Sequence, residues 1–165
     1  TAFVFNFNYH KPSKHGLHMS LMFDHLNHEV DIMHYLFGVS GIDQATKHHD
    51  NETAFFVTGA REDGIQFSFT GARHREESIY PEDMEIVFEN GSLKMDMHKG
   101  TASLSINGQS FLREDSRYKT DYTTRFERIN RHFLKSVLGL EKQYITTKEM
   151  LINTRAAIDL QAQKA

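Results

Sequence analysis

Between residues 20 and 38 the chain reads S-L-M-F-D-H-L-N-H-E-V-D-I-M-H-Y-L-F-G, with apolar residues returning every three or four positions. At about 100° per residue, Met22, Leu26, Val30, Met33 and Phe37 fall within an arc of about 80°, which predicts a helix with one core-facing stripe. Ser20 suits the N-cap and Gly38 the left-handed position just past the C-terminus. On the opposite side Asp24, His28, Asp31 and Tyr35 share an arc of about 60°. A core helix with a second, polar stripe is the feature to explain.

Around this helix the period is two. Residues 2–10 alternate Phe3, Phe5, Phe7 and Tyr9 with Val4, Asn6, Asn8 and His10, so a strand opens the chain, and a loop with Pro12 and Gly16 leads into the helix. Residues 39–48 read as a weak strand and 53–60 as a strong one, with His48-His49-Asp50-Asn51 as the turn between them. Glu62-Asp63-Gly64 signals a turn before the alternating strand 65–74, so 53–60 and 65–74 form a hairpin. Residues 73–83, charged and holding the second proline, read as a solvated loop. Asn90-Gly91 between two alternating runs marks a hairpin over 84–97, and Lys99-Gly100 and Asn107-Gly108 mark turns around a strand at 103–106.

Two helices follow. Asp121 can cap a segment in which Phe126, Ile129, Phe133 and Val137 recur at helical spacing up to Gly139. Thr146 and Glu149 have capping-box spacing ahead of Leu151, Ile158 and Ala162. Both stripes read as core. The order of strand, helix, several antiparallel strands and two helices predicts one α+β domain over 1–165, an open, mostly antiparallel β-sheet with helices packed on one face. Met95 and Met97 alternate with Lys94, Asp96 and His98, so the open sheet face is expected to pair with a second copy in a homo-oligomer.

Composition narrows the function classes. A net charge of -3 with scattered Lys and Arg speaks against a nucleic-acid partner, and the apolar runs are too short to span a membrane. There are no cysteines and no secretory apolar stretch, which leans towards a cytoplasmic protein. The chain begins with Thr1, directly at a strand, so a longer protein with an N-terminal partner domain is expected. Eleven histidines raise metal binding, with His15/His18, His25/His28 and His48/His49 as the pairs to inspect.

Asp24 and His28 stand four apart and are neighbours on the helix surface. A carboxylate beside an imidazole favours its protonated form and fixes its tautomer, which suits a general acid/base. Three readings stay open on the residues alone: a structural ion pair, acid/base chemistry, or a metal site built on His25, His28 and a carboxylate. His25 points about 60° away from His28 and no spaced third ligand follows, so the metal reading stands last and no metal is expected.

The run from Leu21 through Asp24, His28, Asp31 and Leu36 to Gly38 resembles the segment D-x-G-x-H-x-x-D-x-x-x-x-L-x-G of the C-terminal domain of the Gfo/Idh/MocA oxidoreductases, the glucose-fructose oxidoreductase and inositol dehydrogenase family. The hairpin at 85–92 and the helices at 121–139 and 147–164 resemble the rest of that dihydrodipicolinate-reductase-like domain, so the likeness covers nearly the whole chain. It implies a parent protein with an N-terminal Rossmann domain that holds NAD or NADP, and a C-terminal domain that closes over a sugar, cyclitol or related polyol. His28 would then be the proton acceptor and donor at the substrate hydroxyl, and Asp24 would tune it or position substrate; Asn27 and Asp31 would be substrate-binding. No G-x-G-x-x-G is present, so this domain alone is expected to bind no dinucleotide and to be inactive. Lys11-Pro12 follows His10 and is not the family's Glu-Lys-Pro, while Asn27 stands where the family commonly has a small residue. The alternative of a different class is a non-catalytic, stand-alone binding or dimerisation module of the same fold.

Overall fold

A computed structural model describes residues 4–12, 20–74, 82–96, 99–114 and 122–162; of these, the side chains of 4–12, 23, 24, 74 and 122–125 lie outside the description. The elements run β1 (Val4–Pro12), α1 (Leu21–Phe37), β2 (Ile42–Asp50), β3 (Ala54–Arg61), β4 (Gln66–His74), β5 (Glu82–Phe88), β6 (Gly91–Asp96), β7 (Thr101–Ile106), β8 (Gln109–Glu114), α2 (Tyr122–Val137) and α3 (Thr147–Ala162). The strands form one sheet in the order β2-β3-β4-β1-β5-β6-β7-β8. Two antiparallel meanders, β2 to β4 and β5 to β8, are joined by β1, which runs parallel to β4 and antiparallel to β5. The expected α+β class and mostly antiparallel open sheet are therefore observed.

Alternation along the strands decides which face is buried. Phe55 and Val57 of β3, Phe67 and Phe69 of β4, and Met84 and Ile86 of β5 pack with Leu21, Met22, Leu26, Val30 and Met33 of α1 and with Ala156 and Leu160 of α3. Phe37 joins this core partly buried, so the apolar stripe of α1 does what its spacing requires. The opposite face carries polar rows in register, Thr46 with Thr58 and Ser68, and Glu85 with Lys94 and Ser103. No helix among the described residues is long and apolar enough to cross a membrane.

The turns show where local signals needed refinement. β2 continues through His48 and His49 to Asp50, so these histidines belong to a strand rather than a turn. His48 Nε2 lies 2.7 Å from Thr58 Oγ1 and its ring stacks on Phe56, while Asn51 makes the turn by accepting from the amides of Thr53 and Ala54. In the β5/β6 hairpin Phe88 pairs with Gly91, which puts the two-residue loop at Glu89-Asn90, one position earlier than Asn90-Gly91. Gly91 serves close approach instead, because a Cβ there would meet the Ser105 carbonyl oxygen at 1.9 Å. Asn107 and Gly108, both with positive φ, form the loop between β7 and β8 that Asn-Gly chemistry predicts.

The two C-terminal helices correct a second expectation. On α2, Phe126, Ile129, Phe133 and Val137 are exposed rather than core. On α3 the buried residues are Asn153, Ala156, Ala157 and Leu160, while Leu151 and Ile158 face outward. Helical spacing reveals that a stripe exists but not what covers it. The capping box of α3 is present: the Thr146 amide donates to Glu149 Oε2 at 2.6 Å, and the Glu149 amide to Thr146 Oγ1 at 3.2 Å.

Candidate functional site

The site is built on α1, which lies against α3, β3 and β4. Its C-terminus ends at Gly38, with φ of 81°. Arg61, buried at the end of β3, secures that end: its guanidinium donates to the carbonyls of Met33 and Phe37 and lies over the Phe37 ring, where it complements the negative end of the helix dipole. Asp63 holds the same guanidinium at 2.6 Å, and that hydrogen bond draws the Asp63 carboxyl below the usual carboxylate range. At the other end the Ser20 hydroxyl donates to Asp50. The helix that carries the candidate chemistry is thus fixed at both ends.

His28 and Asn27 are exposed side by side on this helix. The Asp24 side chain lies outside the described residues, so the pairing of Asp24 with His28 stays an expectation from spacing. Asp31 is half-buried and its carboxylate accepts from the Asn153 amide of α3. Asn153 in turn accepts through Oδ1 from His34 Nδ1. Because Asp31 requires the NH2 side of Asn153, the amide orientation is fixed, and with it the His34 tautomer that carries a proton on Nδ1. His34 Nε2 is buried without a partner among the described residues. Asp31 therefore ties α1 to α3, and Tyr35 stands exposed beyond it.

A second buried group lies beneath His28. Glu29 is fully buried; its Oε1 lies 2.5 Å from Nδ1 of the buried His25, and its Oε2 has no partner among the described residues. Burial pushes the Glu29 carboxyl above the usual carboxylate range, against the hydrogen bond to His25 and the imidazoles of His25 and His28, which pull it down. The His25 and His28 rings are 5.0 Å apart, centre to centre, and inclined at 60°. Motif and spacing do not mark Glu29 or His34, and they mark His25 only as a candidate metal ligand. Glu29 had a signal all the same: it stands seven residues after Met22 and four before Met33, a charge within the apolar stripe.

Among the described residues no group of three His, Cys, Asp or Glu side chains is placed to hold a metal ion. The glycines with positive φ sit in hairpin turns, at 64, 100 and 108, or after helices, at 38 and 139. Among the described residues none of these glycines opens a helix after a parallel strand, and the loop between β1 and α1 lies outside the description. A groove of about 270 Å³ runs between β2 and α3, lined among others by Asp43, Arg155 and Asp159, and it contains no residue of α1. His28 is exposed on α1, away from this groove.

No family model matches the sequence, and no curated protein matches it. Solved structures do. A UDP-N-acetylglucosamine 3-dehydrogenase from Acidithiobacillus ferrooxidans superposes with a TM-score of 0.78 at 12% identity, over 96% of this chain and 52% of its own. A scyllo-inositol dehydrogenase from Lactobacillus casei, solved with NAD(H) and scyllo-inositol, gives 0.68 at 17% identity, over 96% of this chain and 53% of its own. A Gfo/Idh/MocA family oxidoreductase from Vibrio cholerae gives 0.61 at 12% identity, over 93% of this chain and 49% of its own. The chain spans about half the length of each of these proteins, and over that half it has the fold that Gfo/Idh/MocA dehydrogenases share.

Proposed function

We propose that the chain is the C-terminal, substrate-binding and oligomerising domain of an NAD(P)-dependent Gfo/Idh/MocA oxidoreductase that acts on a sugar, cyclitol or related polyol. The observation that carries this reading is the exposed His28, beside Asn27 on an anchored helix, in a chain whose fold matches half of several sugar and cyclitol dehydrogenases. The hydride acceptor, NAD or NADP, belongs in this reading to an N-terminal Rossmann domain of the same polypeptide. His28 takes the proton of the substrate hydroxyl as the carbinol carbon becomes a carbonyl, and returns it in the reverse direction. Asp24, one turn earlier in the sequence, positions the substrate or tunes His28 in this reading, and Asn27 offers an amide to a neighbouring hydroxyl. Asp31, held by Asn153, sets the roll of the helix that presents them.

The bare apolar stripe of α2, with Ile129, Phe133 and Val137, suits a second domain packed against it. The test is the complete polypeptide offered NAD or NADP with a panel of sugars and cyclitols. Reduction of the nicotinamide with at least one of them is expected. Failure of the complete polypeptide to bind either dinucleotide contradicts the proposal and leaves a non-catalytic module of this fold.

A further inference from the structure

The exposed histidine has a buried pair behind it whose composition is hard to explain by packing. Glu29 occupies a position on α1 where an apolar residue would fill the core, and nothing among the described residues satisfies its second oxygen. A buried carboxyl in that state is costly unless its hydrogen bond does something that a hydrophobe could not. What it holds is the ring of His25, at 2.5 Å, and that ring in turn lies 5.0 Å from the ring of His28.

We infer that Glu29 is a positioning residue for His28, acting through His25: the carboxyl locks the His25 ring, and the locked ring is the wall that sets the orientation of the exposed imidazole. The inference rests on the reading of His28 as the acid/base group, and it adds two residues to that machinery. The contact is a hydrogen bond between Nδ1 of His25 and Oε1 of Glu29, which holds the His25 ring in one rotamer. Among the described residues the charged and polar groups that face α1 are these. From α3 the polar side chains reaching α1 are Asn153 and Gln161, both neutral. From β3 it is Arg61, committed to Asp63 and the last turn of α1, and β4 contributes Phe67 and Phe69. On α1 itself the ionisable neighbours are His28, Asp31, His34 and, by sequence, Asp24.

The experiment is nuclear magnetic resonance of the histidine rings in this chain, with Glu29→Gln and His25→Gln, followed by kinetics of the same variants in the complete polypeptide. Glu29→Gln keeps the shape and removes a buried ionisable group, so it is expected to fold. In Glu29→Gln the His25 and His28 ring signals should move, while those of His48 and His132 stay in place. His25→Gln should move the His28 signals too. In the complete polypeptide kcat should fall roughly 10- to 100-fold with KM for the dinucleotide unchanged, the cost of a misplaced proton acceptor. His28 signals unmoved in both folded variants would overturn the inference. Moved signals beside wild-type turnover of His28→Ala would uphold the positioning and remove only the functional reading.

Discussion

Asn153 joins two side chains of α1 through one amide, giving to Asp31 and accepting from His34. Replacing it with Ala leaves a half-buried carboxylate and a buried imidazole without that partner, and Asn153→Ala should lower stability by about 1–3 kcal/mol in urea unfolding. A change under half of that would mean the network is solvated. Glu29 makes an opposite prediction. Its carboxyl is raised by burial, so the folded state holds that proton more tightly than the unfolded state does. The resulting stability is complete below the ordinary glutamate range and is lost as pH rises through the raised value. Glu29→Gln should therefore melt higher than the wild type at neutral pH and lose that advantage in acid; a gap that widens in acid would refute the assignment. None of these partnerships was legible in the sequence, because His25 with Glu29 is a local pair but its burial depends on the sheet, and His34 meets Asn153 across 119 positions.

At the scale of elements the sequence was more informative. The helix at 20–38 and its apolar stripe, the hairpins, and the capping box at Thr146 were readable because each rests on contacts within a few residues. What the spacing does not reveal needed distant partners: the parallel pairing of β1 with β4, the buried face of α3, and the exposure of α2. Since Thr146 and Glu149 satisfy each other's amides, Thr146→Ala should cost about 1 kcal/mol and fray the start of α3 first, visible as faster amide exchange in its first turn. For α2, replacing Ile129 and Phe133 with Ser should change the stability of this chain by less than about 0.5 kcal/mol, since both are exposed. The same double variant should impair folding of the complete polypeptide, if a second domain packs there. Equal loss in both settings would mean the stripe is covered within this chain.

At the scale of the described residues, one sheet carries α1 and α3 over one face, and its opposite face is exposed. Among the described residues that opposite face carries hydroxyl rows and the Lys94–Glu85 ion pair together with exposed Phe56, Val87 and Leu112, so an oligomer formed through it would have a salt-sensitive polar part. Light scattering should give at least a dimer at low salt; a monomer at every salt concentration would exclude this face as the interface. One residue carries the proposed chemistry. In the complete polypeptide, with a substrate found from the polyol panel, His28→Ala should reduce kcat by roughly 10²–10⁴-fold and leave dinucleotide affinity within about twofold. Near wild-type turnover in that variant would contradict the account.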